Sequence, residues 1–141
     1  MTGSILLPID LGHPESSDKA LSEAVDMARA KGALLHVLTV IPDFGTALVG
    51  SYFPKDFSRR ALEETTSALK TYVSEKVPED VPVEVHVRHG TIYREIVAAA
   101  KALGVDLVVL ASHRPEMKDY FLGPNAAKVV RHARQSVLVV R

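Results

Sequence analysis

Five short apolar runs divide the chain: SILLPI (4–9), LLHVLTV (34–40), PVEVHV (82–87), VDLVVLA (105–111) and SVLVV (136–140). Most are rich in branched aliphatic residues and do not alternate strictly with polar ones, the pattern of strands buried on both faces. PVEVHV differs. Val83, Val85 and Val87 alternate with Glu84 and His86, which predicts a strand near the margin of a sheet.

Between the runs the apolar period lengthens to that of a helix. Leu21, Ala24, Val25 and Ala28 recur at helical spacing, with Ser16 or Ser17 as N-cap and Gly32 as the stop. Leu62, Thr65, Leu69, Tyr72 and Val73 predict a longer helix from Asp56 to Lys76. Ile92, Ile96, Ala99, Ala100 and Leu103 predict a third, opened by Gly90-Thr91 and closed by Gly104. Ala126, Val129, Val130 and Ala133 predict a fourth, starting at Gly123-Pro124 with proline at the first helical position. The alternation β-α-β-α-β-α-β-α-β implies an α/β fold: a parallel sheet with helices on both faces and right-handed crossovers. One segment breaks the rhythm, IPDFGTALVGSYFPKD (41–56). A loop of that length in a compact domain is usually functional or mobile.

Composition narrows the classes. A chain of 141 residues is expected to form one domain, 1–141, with a core large enough to need no covalent staples. Lys and Arg balance Asp and Glu at 17 each, so there is no global electrostatic footprint for nucleic acid or an anionic membrane. Cysteine is absent, which excludes disulfides, thiol catalysis and cysteine-ligated zinc. The opening MTGSILLPID has no basic segment and enters a strand at once, unlike a signal peptide. No apolar run reaches the roughly 18 residues of a membrane span. A cytoplasmic location is expected.

In an open parallel sheet, ligands sit outside the carboxyl ends of the strands, where strand order reverses. Pro8-Ile9-Asp10 follow the first strand, Val40 ends the second, and Ala111-Ser112-His113-Arg114 follow the fourth. With Gly123-Pro124-Asn125-Ala126 at the fourth helix start, these clusters meet over one crevice if the first and fourth strands are neighbours.

The segments ILLPID, LLHVLTVIP, GVDLVVLASHRP and above all LGPNAAKVVRHARQSVLVVR resemble the universal stress protein family across essentially the whole chain, in its bacterial F/G-type form. The resemblance implies a Rossmann-like domain of the adenine nucleotide alpha hydrolase type, with sheet order 3-2-1-4-5, homodimers, and ATP binding in some members. Nucleotide-binding members carry G-x2-G-x9-G-[ST] after the fourth strand. Here Ala111 and Arg114 stand at the first two glycines, Pro115 to Leu122 make the second spacer one residue shorter, and Pro124 replaces the hydroxyl residue.

Each departure has a physical meaning. Glycine lets backbone N–H groups approach a phosphate closely. Arg114 gives up that approach but supplies a cationic fork for phosphate oxygens. Pro124 lacks an N–H, while the N–H groups of Asn125 and Ala126 and the positive end of the helix still favour an anion. By the same resemblance Asp10 faces the ribose or base and Val40 offers its backbone to adenine. Asp10 read by itself is a carboxylate capping the first helix.

Cofactor residues are therefore expected at Pro8, Ile9, Asp10, Val40, Ala111, Ser112, His113, Arg114, Gly123, Pro124, Asn125 and Ala126, holding ATP with or without Mg. No metal site is expected, because the six histidines show no HxxxH or HExxH spacing. His36 and His86 fall within strands, His13 and His113 in strand-end loops, and Thr91 opens the third helix. No GxSxG, GxxxxGK[ST] or GxGxxG motif occurs, so catalysis beyond a slow incidental ATPase is not expected. Ser136 to Val140 form an edge strand able to pair with a second copy. A regulatory protein partner completes the leading reading. The alternatives are a nucleotide-independent interaction module and, less favoured, a slow hydrolase or phosphotransferase using Asp10 with His113.

Overall fold

The computed structural model describes residues 3–42, 55–112 and 122–141. Its strands are β1 (Ser4–Pro8), β2 (Leu34–Pro42), β3 (Val83–Gly90), β4 (Leu107–Ala111) and β5 (Ser136–Val140). Its helices are α1 (Asp18–Lys31), α2 (Lys55–Lys76), α3 (Ile92–Leu103) and α4 (Leu122–His132), with a 3-10 turn at Pro14–Ser17 before α1. The strands form one parallel sheet of order β3-β2-β1-β4-β5 in a single α/β domain.

Two hydrophobic layers sandwich that sheet. One joins Ile5, Leu7, Leu35, Val37 and Val109 to Ala24 and Ala28 of α1 and Leu69, Tyr72 and Val73 of α2. The other joins Leu6, Leu38, Val40, Val108 and Leu110 to Ile96 and Ala99 of α3 and Ala126 and Val129 of α4. Successive strand residues point to opposite faces, so double cover is why the inner strands read as unbroken apolar runs. In β3 the odd-numbered Val83, Val85 and Val87 pack on the first layer. Glu84 and His86 take the other face, and the strand lies at the sheet margin as its alternation predicts.

Several boundaries differ from the sequence reading. Strand β1 ends at Pro8, yet the Ile9 N–H still donates to the Leu38 carbonyl at 2.8 Å. Strand β3 runs on to Gly90 because its partner β2 continues to Pro42. Helix α4 starts at Leu122 rather than at Gly123-Pro124, so the proline occupies the third position of the first turn, where its missing N–H has no intrahelical acceptor to lose. Ser17 is the N-cap residue of α1 by position, but its side chain makes no cap hydrogen bond. The 41–56 segment beyond Pro42 and the 112–122 segment beyond Ser112 lie outside the described residues up to the starts of α2 and α4. No helix among the described residues is long and apolar enough to cross a membrane.

Helices α1 and α3 end on Gly32 and Gly104, at φ 61° and 64°. Each glycine N–H meets two carbonyls of the last turn, a left-handed cap that satisfies otherwise unpaired acceptors. A Cβ added at Gly104 would meet no atom within 4 Å. Gly104→Ala should therefore cost about 1 kcal/mol through backbone conformation alone, read as a lower urea midpoint with an unchanged slope.

Tyr72 is buried in the layer that includes α1, and its hydroxyl has no hydrogen-bond partner among the described residues. Burial, aided by the nearby Asp18 carboxylate, pushes its pKa up to about 12. The unfolded chain ionises this group first, so its contribution is fully present below the ordinary value of 10.0 and is lost as pH rises toward the folded value. Tyr72→Phe should match or exceed the wild type in stability near neutral pH, by up to about 1 kcal/mol. The difference should widen in favour of phenylalanine above pH 10.0, measured by urea unfolding across an alkaline series.

Candidate functional site

Strand order reverses between β1 and β4, which pair through Ile5–Leu107 and Leu6–Val108. From β1 the chain steps outward to β2 and β3, then crosses back to β4 and β5. The carboxyl ends of β1 and β4 therefore open side by side, the position where such sheets hold ligands. Pro8, Ile9 and Asp10 leave β1 there, and Ala111 and Ser112 end β4. Val40 lies past Leu38, the β2 partner of Pro8. Gly123 to Ala126 form the first turns of α4. His113 and Arg114 lie outside the described residues.

Most of these groups are already held. Asp10 is completely buried, and its Oδ1 accepts the Gly12 N–H at 2.9 Å in a turn closed by the His13 N–H on the Asp10 carbonyl. This corrects the capping interpretation: Asp10 shapes the turn after β1, and Ser17 stands at the N-cap of α1. Thr39, which sequence patterning passed over as part of an apolar run, donates its buried hydroxyl to the Ile9 carbonyl at 3.0 Å. The Ser112 N–H donates to the Val140 carbonyl at 2.7 Å, so β5 fastens the residue that leaves β4.

At the opposite wall, Asn125 Oδ1 accepts the Tyr93 N–H at 3.1 Å. Tyr93 sits in the first turn of α3, where backbone donors lack intrahelical partners. The α4 side chain thus caps α3 and draws the two helix starts together. A helix beginning at Leu122 spends the Ala126 N–H on its own ladder, and Ala126 packs into the core. The donors of the α4 first turn that face outward are then those of Leu122 and Gly123, with the helix dipole behind them.

Tyr93 was not singled out from sequence, though its neighbours mark it. Arg94 Nε donates to its hydroxyl at 3.1 Å, and Lys128 Nζ lies 5.2 Å from its ring centre. The Arg94 hydrogen bond, with the charges of Arg94 and Lys128, lowers the Tyr93 pKa. The α3–α4 junction therefore carries local positive charge in a chain of zero formal net charge.

A second polar group lies away from the crevice. His36 Nδ1 and His86 Nε2 are 2.9 Å apart, and Glu84 Oε2 is 3.5 Å from the former and 4.0 Å from the latter. Burial lowers the pKa of both imidazoles; the proximity of His86 adds to the effect at His36, while Glu84 opposes it at both. Sequence spacing did not predict this trio, because parallel pairing of His36 with Glu84 creates it.

The sequence matches the universal stress protein family over residues 1–141. It is 36% identical to universal stress protein G of Shigella flexneri, over the full length of both chains. Among solved structures, the hypothetical protein MJ0577, subject of a structure-based assignment of biochemical function, superposes with a TM-score of 0.75 at 26% identity, covering 98% of this chain and 94% of that one. Two more distant structures share the fold: a universal stress protein in complex with cAMP (TM-score 0.60, 22% identity, 99% and 96% covered) and one from Archaeoglobus fulgidus in complex with dAMP (0.63, 17%, 99% and 98%). Full-length agreement in sequence, strand order and helix placement has one meaning: the chain belongs to the universal stress protein family.

Proposed function

We propose that the β1–β4 crevice binds an adenine nucleotide, ATP with or without Mg foremost, and that the protein is a cytoplasmic regulator in a stress response rather than an enzyme. The observation that carries this reading is the meeting of the β1 end, the β4 end and the α4 N-terminus at the reversal of strand order. Backbone N–H groups and a helix dipole favour phosphate there. The ligands of the two distant fold neighbours, cAMP and dAMP, share an adenine, a pentose sugar and a phosphate, the chemistry this crevice would meet. Asp10 would accept a ribose hydroxyl, Val40 would present its backbone to the base, and Gly123 would approach phosphate with Arg114 as the charged partner.

The expected result by isothermal titration is one nucleotide bound per chain from MgATP, with a matching rise in melting temperature. Absence of both heat and melting shift at millimolar MgATP removes the proposal. Asp10→Asn keeps an Oδ1 for the Gly12 N–H and removes the charge. It should weaken binding by about tenfold to a hundredfold, the range for a hydrogen bond to a charged group. Sustained phosphate release abolished by Asp10→Asn would instead establish a hydrolase.

A nucleotide-independent interaction module is the second reading. Its support is the commitment of polar groups to the fold: Ser112 N–H to Val140, Asn125 Oδ1 to Tyr93, and no N–H at Pro124. Gain of ATP affinity in Pro124→Ser over an inert wild type is the outcome it requires.

Strand β5 lies at the sheet margin with Val139 exposed, an edge free to continue into a second copy. The functional unit proposed is that homodimer, read by a regulatory protein partner. Light scattering should give a dimeric mass for the wild type and a monomeric one for Val139→Asp, which places a charge on the exposed edge.

A further inference from the structure

At the margin opposite β5 lies β3, the other edge of the sheet. Strand β3 packs its valines on the α1–α2 layer and turns Glu84 and His86 to the other side. His36 of β2 pairs with Glu84 in register, so three side chains with lone pairs project together. His36 is buried, His86 is partly exposed, and Glu84 is more exposed than buried. The arrangement is walled by protein on the inside and open to solvent at the carboxylate.

We propose that His36, Glu84 and His86 form a binding site for a divalent transition-metal ion of the zinc type. Their donor atoms, His36 Nδ1, Glu84 Oε and His86 Nε2, all lie within 4.8 Å of one another. Ligands about 2.1 Å from a tetrahedral ion stand roughly 3.4 Å apart. The separations of 2.9, 3.5 and 4.0 Å bracket that value, so rotation of the exposed Glu84 side chain and a small parting of the rings complete the geometry.

The donor set selects the ion. Two imidazoles and one carboxylate suit zinc and its neighbours, whereas calcium and magnesium take oxygen ligands. Three protein ligands leave a fourth position for water. The proton now shared between the two rings would pass through solvent to the outer nitrogen of the ring that carries it, leaving both imidazoles neutral and both lone pairs turned inward.

The consequence is local. Strand β3 is an edge strand, and an ion bridging it to β2 would fasten that margin without touching the crevice. His36 lies about 13 Å along β2 from Val40 at roughly 3.3 Å per residue, so failure of this proposal and failure of nucleotide binding are separable.

The test is titration of the tag-free full chain with zinc chloride by calorimetry and with cobalt chloride by visible absorption. One ion per chain with a micromolar or tighter dissociation constant is expected, with the visible bands of tetrahedral cobalt and a rise in melting temperature. Glu84→Gln alters an exposed side chain and should leave the metal-free melting temperature unchanged while weakening zinc binding about tenfold or more. His86→Gln should weaken it at least as much, and circular dichroism checks its fold. Absence of binding at micromolar zinc overturns the proposal. So does binding whose affinity is unchanged in both variants, since the ion would then be held by other histidines.

Discussion

Leu6 and Leu7 of β1 are both completely buried, although adjacent strand residues leave a sheet on opposite faces. That is possible only because α1 and α2 cover one face and α3 and α4 the other. Each such leucine contributes about 1.5–3 kcal/mol relative to exposure, and the same logic runs through β2 and β4. A doubly covered strand has little room for a polar side chain along its length. Chemistry is displaced to places where cover stops, the carboxyl ends of the strands and the sheet margins. Asp10, Ser112 and Asn125 occupy the first, and His36, Glu84 and His86 gather at the second.

The crevice is built with few idle groups. Asp10 holds the turn at Gly12, Thr39 pins the end of β1 to β2, and Asn125 joins α4 to α3. Such clamps fix the backbone around a site before any ligand arrives, which lowers the ordering cost of binding. They also mean that an anion there would depend chiefly on backbone donors and the α4 dipole.

Sequence patterning recovered the sheet and helices because each rests on a local rule. Double cover erased alternation in the inner strands, the edge strand β3 kept it, and Gly32 and Gly104 ended helices through their backbone freedom. The misplaced boundaries had tertiary causes. Strand β3 runs to Gly90 because β2 pairs with it that far. The adjacency of the β1 and β4 ends was legible because strand order sets it, but the partners of Asp10 and Asn125 were not, since side-chain hydrogen bonds across the fold leave no period in the chain. The histidine–glutamate trio was hidden for the same reason. His36 and Glu84 become neighbours only through parallel strand register, although Glu84 and His86 on alternate positions of one strand were a signal that one more same-face donor could have completed.

The bond from the Ser112 amide to Val140 carries the β4–β5 pairing one residue past Ala111. Val140 belongs to the outermost strand, while Ser112 stands where the chain departs from β4. Any shift of β5 along its neighbour is therefore felt where the chain leaves β4, at one wall of the cleft.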